Sequence, residues 1–231
     1  MNSLGAAYRA LVVGASGAIG GAFVRALQHD PACQQVLSLS RASHPGFDLQ
    51  DETSIASAAA ELAHAAPFQF IVDATGALTI NNHGPEKSLH ALHAEPLLKS
   101  LTVNAVGPVL LFKHLSPLLD TTQRTIYAKL SARVGSIADN RKGGWYSYRA
   151  AKAALNMLLH TAAIEAARKR PQLVVVALQP GTVASALSQP FVASGALAPE
   201  TSVASMLQVL DELPAHSGAH FVDYQGKSIP W

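Results

Sequence analysis

"VVGASGAIGG", residues 12 to 21, joins the end of an apolar run to the start of a stretch with helical period. The run "RALVVG" (residues 9 to 14) has the length and branching of a buried strand, and beyond it apolar residues recur three and four apart. Gly14 permits a tight turn there. Gly17 and Gly20 carry no side chain where the opening turn of the helix would need to be approached closely. The backbone amides of Ser16, Gly17, Ala18, Ile19 and Gly20 then sit at the positive end of a helix dipole, where a pyrophosphate is favoured. A glycine triplet alone is a weak signal, and its place between strand and helix gives it weight.

The same alternation continues along the chain. Strands are expected at residues 9 to 14, 35 to 40, 68 to 74, 124 to 131, 173 to 179 and 220 to 224. Helices fit "GAIGGAFVRALQH", "DETSIASAAAELAHA", "EPLLKSLTVNAVGPVLLFKHLSPLL", "WYSYRAAKAALNMLLHTAAIEAARKR" and "PETSVASMLQVLDEL". A further short strand at Phe47 to Leu49 is conceivable but has no periodicity behind it. Repeated βα units with right-handed crossovers give an α/β fold, a doubly wound parallel sheet in a three-layer αβα arrangement. Ligands of such sheets bind beyond the carboxyl ends of the strands.

A chain of 231 residues with 49% apolar residues supports one well-buried domain, expected over residues 1 to 231. The formal net charge of +2 and the 14% of charged residues speak against a nucleic-acid surface. The "ARKR" run at 167 to 170 reads as cations at a helix C-terminus. The lone Cys33 reads as a packing residue in a reducing, cytoplasmic setting, and no leader or membrane-spanning run is expected. His90 and His93 in "HALH" have helical spacing but lack a Cys or carboxylate to complete a metal site, so no metal is expected. "GASGA" lies in a glycine turn and is not read as a nucleophile elbow.

Nucleotide choice should be written at the end of the second strand, where a carboxylate takes a ribose diol and a cation a 2′-phosphate. There the chain reads "SLSRAS", with Arg41 and no acid, which predicts NADP(H), NAD(H) being the alternative. In "FDLQDE", Asp48 could meet an adenine edge or cap a helix.

In "WYSYRAAK", residues 145 to 152, Tyr148 and Lys152 are four apart and share a helix face, whereas Tyr146 points about 200° away from Tyr148. A phenol titrates at about 10, and a nearby ammonium favours its ionised form. The pair could therefore exchange a proton with a carbonyl or alcohol oxygen. The same spacing is also common on helix surfaces.

"GASGAIG", "DATG" at 73 to 76, "VNAVGP" at 103 to 108, "YSYRAAKAALN" and "PGTV" at 180 to 183 occur in this order. Together they resemble the short-chain dehydrogenase/reductase family, a Rossmann-type fold, across nearly the whole chain. "GSIADN", "GPEKSL" and "SIPW" look like its small C-factor or cell-signalling branch, near the sniffer-type carbonyl reductases. The resemblance implies hydride transfer between a nicotinamide and an alcohol or carbonyl carbon, with Tyr148 as acid/base and Lys152 lowering its pKa and binding the nicotinamide ribose. It implies that Asn104 holds a relay water at a helix irregularity, that Ala74 and Gly76 contact the adenine side, and that Pro180, Gly181, Thr182 and Val183 cradle the carboxamide. Dimers or tetramers through residues 96 to 119 and 145 to 169 are implied as well. Catalytically vestigial nucleotide sensing or signalling is the alternative from the same fold.

The match departs from the family pattern in places. Ala18 stands at the usual middle glycine. Asp73 replaces the first asparagine of Asn-Asn-Ala-Gly, and "NNHG" at 81 to 84 reads as a loop too far past the strand to reach that pocket. The family's oxygen-stabilising serine falls on Ser131 when counted from the strand start and on Ala132 when aligned through Gly135; Ser136 is a third candidate. Ser131 is the choice carried forward. The segment from Ala184 to Pro199, small and apolar, is expected to cover the substrate pocket.

Overall fold

The computed structural model describes residues 1–187, 189 and 195–231. Its centre is a six-stranded, fully parallel sheet in the order β2-β1-β3-β4-β5-β6, built from β1 (Tyr8–Val13), β2 (Cys33–Leu39), β3 (Phe70–Asp73), β4 (Thr125–Leu130), β5 (Leu173–Gln179) and β6 (Ala219–Asp223). The strands read as continuous apolar runs because helices cover both faces. Alternate residues divide between two cores. Ala10, Val12, Val72 and Val176 pack against Phe23 and Leu27 of α1 (Ala18–Gln28) and Val203 and Met206 of α6 (Pro199–Glu212). Leu11, Val13, Ile71 and Tyr127 pack against Ile55 of α2 (Glu52–Leu62), Leu111 and Leu115 of α4 (Gly107–Leu115) and Leu159 of α5 (Tyr146–Ala167). Each such fully buried side chain is worth roughly 1.5–3 kcal/mol over an exposed one. The expected three layers are therefore present.

One expectation needs correction. No strand forms at Phe47 to Leu49: the Phe47 amide donates to the His44 carbonyl and the Asp51 amide to that of Asp48, which makes consecutive turns. The long helix expected from residue 95 to 119 carries the irregularity at Asn104 that the family resemblance implies. After α3 (Ala94–Leu101) the chain makes a π-helical turn, Thr102–Val106, before α4 resumes. Apolar periodicity runs through both halves, so the extra residue left no trace in the pattern. No helix among the described residues is long and apolar enough to cross a membrane.

Candidate active site

The order in which strands are added reverses at β1, with β2 on one side of it and β3 on the other. At that switch point a cleft of about 440 Å³ opens beyond the carboxyl ends of the strands. It gathers Gly14, Ser16, Gly17, Arg41, Asp48, Ala74 and Gly76, residues the sequence had assigned to the nucleotide from four separate stretches.

The glycine turn is built as its spacing demands. Gly14 has φ +79°, and its carbonyl accepts from the Gly17 amide at 3.0 Å. A Cβ on Gly20 would overlap the Gly14 carbonyl, so the helix can start this close to β1 only with glycine at that position. Gly17 caps α1 without any side-chain hydrogen bond, which leaves the first amides of the helix open to an anion. Arg41 is exposed at the rim and enters no ion pair among the described residues. Asp48 accepts from the Gln50 amide at 2.9 Å, and the cap of α2 is Asp51, so Asp48 is not the helix-capping acid.

Tyr148 and Lys152 lie on the first turns of α5, with the Lys152 ammonium 5.6 Å from the centre of the Tyr148 ring. Lys152 is buried and donates to the Leu130 carbonyl at 3.1 Å. Burial raises the phenol above its ordinary value. Lys152 is lowered to about 7, by burial first and by the positive charge of Lys129 second, with Asp73 opposing. The expectation that Lys152 depresses the tyrosine is thus not realised in the bare protein: the ammonium faces a carbonyl, and desolvation of the phenolate dominates. Neutral phenol is the form suited to donating a proton.

Asn104 is fully buried in the π-helical turn. Its amide donates to the Ala77 carbonyl and accepts from the Ala77 amide, both at 2.9 Å, which pins the segment after β3. A Cβ on Gly76 would lie 3.3 Å from Asn104 Oδ1 and 3.6 Å from Lys152 Nζ, so this backbone runs directly past both.

The serine departs from expectation. Ser131 donates to Asn156 Oδ1 at 2.7 Å in a buried contact. Asn156 is two helical turns beyond Tyr148, about 12 Å along the axis. Ser136 is also buried and donates to the Pro230 carbonyl. The hydroxyls of both serines thus donate to groups other than the tyrosine, and the residue after Ser131 is Ala132.

Pro180, Gly181, Thr182 and Val183 follow β5 but do not line the 440 Å³ cleft. Gly181 has φ +79°, the Ser202 hydroxyl donates to the Pro180 carbonyl at 2.6 Å, and Thr182 and Ala184 pair with Leu197. Of the expected cover from 184 to 199, residues 188 and 190 to 194 lie outside the described residues. His90 and His93 are both exposed and lie in a 3-10 turn and before α3, not on one helix.

Several contributors were missed. Asn81 and Asn82 have φ +49° and +64° in a two-residue turn whose flanks, Ile80 and His83, exchange both backbone hydrogen bonds. That tight reversal brings "NNHG" back, and Ile80 and Asn81 line the cleft, contrary to the reading of this loop as out of reach. The same loop carries Glu86, whose carboxylate accepts from the amide of Ser147 at 2.9 Å and from its hydroxyl. Glu86 therefore fixes the helix end that carries Tyr148. Trp145 was not missed, its sequence position marking it for packing or pocket lining, and it stacks edge-on against Tyr148 at 6.2 Å. Adjacent asparagines were a legible turn signal, and Glu86 lay in "GPEKSL", a stretch that pointed to a branch of the family without showing what the acid does.

A family model described as short chain dehydrogenase matches residues 8–194. The C-signal protein of Myxococcus xanthus is 38% identical over 137 residues, 58% of this chain and 78% of that one. Among solved structures, the carbonyl reductase Sniffer of D. melanogaster superposes with a TM-score of 0.84 at 22% identity, over 97% of this chain and 100% of that one. An NADPH-bound carbonyl reductase from chicken fatty liver does so with a TM-score of 0.81 at 23% identity, over 98% and 95%.

Proposed function

The chain belongs to the short-chain dehydrogenase family, and from that premise we propose that it is an NADP(H)-dependent oxidoreductase that interconverts a small carbonyl compound and its alcohol. The observation that carries this reading is the junction at Gly76: one backbone segment lines the nucleotide cleft and passes Lys152 and Asn104, one helical turn from Tyr148. The residues fit the nucleotide, because the amides opening α1 are uncapped, the glycine turn is shaped for close approach, and Arg41 is an unpaired cation where a 2′-phosphate would lie. The NADPH held by the chicken liver relative agrees with that preference.

Ser16 to Gly20 would hold the pyrophosphate, Arg41 the 2′-phosphate, Asp48, Ala74 and Gly76 the adenine side, Lys152 the nicotinamide ribose, and Pro180 to Val183 the carboxamide. Bound there, the nicotinamide supplies or accepts a hydride. Tyr148 donates its phenolic proton to the carbonyl oxygen in reduction and takes it back in oxidation. Lys152 and Asn104 connect that proton to solvent. Leu98, Val106, Met157, Leu158 and Ile164, exposed apolar residues on α3, the π turn and α5, support a homo-oligomer through these helices. We place the protein in the cytoplasm.

A second reading is signalling or sensing with vestigial catalysis. The engaged serines and Ala132 favour it, as does the likeness to a protein called C-signal. A panel of aldehydes, ketones and quinones, assayed by NADPH oxidation with wild type and Tyr148→Phe, separates the two. Turnover abolished by the substitution supports the oxidoreductase. Equal NADPH binding with no turnover by either protein supports the signal, and full activity in Tyr148→Phe sinks the assignment of Tyr148.

A further inference from the structure

Beneath the segment that joins the nucleotide cleft to Tyr148 lies an ion pair that the reaction outlined above does not use. Asp73 ends β3 and Lys129 stands opposite it on β4; both are fully buried, with Lys129 Nζ 3.0 Å from Asp73 Oδ1. Lys129 also donates to the Thr75 carbonyl at 2.7 Å and lies 3.0 Å from the Thr75 hydroxyl, so its ammonium has three oxygen partners. Asp73 Oδ1 accepts from the Thr75 amide at 2.8 Å and from its hydroxyl at 2.6 Å. Two charged side chains are thus folded around one residue, Thr75, whose neighbour Gly76 passes Lys152.

Burying such a pair is costly, and apolar residues of similar volume are often as stable or more so. A sheet position that needed only packing would be served by the valines and alanines found elsewhere on these strands. The pair does what valine cannot: it holds a positive charge on Thr75, whose neighbour Gly76 passes a second buried lysine.

We propose that Lys129 is a positioning residue for Lys152: with Asp73 it clamps Thr75 and Gly76 against the nucleotide cleft, and so sets its own ammonium on one side of this segment and that of Lys152 on the other. The inference rests on the oxidoreductase reading for its use, but not for its test. Among the described residues the charged groups facing Lys152 are Lys129 from β4 and Asp73 from β3. Its own helix presents the Tyr148 ring, and the π turn presents neutral Asn104. The turn at 133–135 presents backbone, its Arg133 being paired outward with Asp139. Lys129 lowers the affinity of Lys152 for its proton and Asp73 raises it. Substitutions at the two positions must therefore act in opposite directions, which mere loosening of the fold does not produce.

The test is a titration of the nucleotide-free protein, labelled with ¹³C at lysine Cε and followed by NMR, with the Lys152 signal assigned through Lys152→Arg. Lys129→Met should move the Lys152 midpoint up by about one pH unit or more, since an opposite charge then acts unopposed. Asp73→Asn should move it down; it keeps the accepting Oδ1 and replaces only Oδ2, which has no hydrogen-bond partner among the described residues. If Lys129→Met does not fold, the double variant Asp73→Asn/Lys129→Met, which strands no charge, should still titrate above wild type. Midpoints that stay put, or that move the same way in the variants with opposite expectations, overturn the proposal. A protein that shows the opposed shifts yet turns over no carbonyl would overturn the functional reading alone.

Discussion

The two ends of the cleft are made of different material. The nucleotide end is mostly backbone: a glycine turn, the uncapped start of α1, and Arg41 and Asp48 on exposed turns. The chemistry end is mostly buried side chain: Lys152, Asn104, Lys129 and Asp73, each hydrogen-bonded or ion-paired across elements distant in sequence. A binding site for a large polyanion can be assembled from dipoles and open amides that keep their water until the ligand arrives. A site that moves single protons must control desolvation and charge at particular atoms, which requires side chains locked by their neighbours.

That contrast can be broken by substitution, beginning at the chemistry end. Tyr148→Phe should lower kcat by about 10²–10⁴-fold while NADPH affinity, read by fluorescence titration, stays within about twofold. A comparable loss of binding would mean that the two ends are not separable. At the nucleotide end Gly20→Ala forces a methyl against the Gly14 carbonyl, and urea unfolding should show about 1–3 kcal/mol of destabilisation together with weakened NADPH binding.

Lys152 gives the contrast a pH signature. Its folded pKa, about 7, lies below the value of about 10.4 for an unfolded lysine. Between those values the unfolded chain binds the extra proton, so this residue's contribution makes stability rise with pH across that window, by at most about 1.4 kcal/mol per pH unit. Lys152→Met should flatten that rise in unfolding curves measured from pH 7 to 10. An unchanged slope would mean that Lys152 keeps its proton when buried.

Arg41→Ala should weaken NADPH by about tenfold, or about 1.4 kcal/mol, and leave NADH unaffected; equal losses would remove the 2′-phosphate from its assignment. The smallest effect belongs to Ser131→Ala. Losing its bond to Asn156 should cost about 1 kcal/mol of stability and change kcat little. A hundredfold fall in kcat would instead restore Ser131 as a partner of the reacting oxygen.

Legibility followed the same division. Glycines at fixed offsets, a cation after β2 and a tyrosine four residues before a lysine are local patterns, weak one by one, and their order along the chain with the family resemblance gave them weight. The sheet was equally open to reading, because parallel strands covered on both faces are apolar along their whole length. Sequence reading was weakest where contacts are long-range. Ser131 was assigned by its distance from a strand start, yet its hydroxyl direction is decided by Asn156, 25 residues away. Lys129 sits within an otherwise apolar strand and went unremarked, since its reason for being there is Asp73, 56 positions earlier. "NNHG" was judged by the number of residues past β3, when a two-residue reversal had already returned the chain.

The π turn at Thr102–Val106 has a bearing on how this chain can change. One surplus residue in an otherwise regular rod rotates everything beyond it by about 100°. Deleting any one residue of the five would heal the backbone and make a better helix. It would also throw α3 and α4 out of phase with each other, so that either Asn104 or the Leu111 and Leu115 face would turn away from the sheet. Substitutions away from Asn104 leave that phase intact, and a change of length does not.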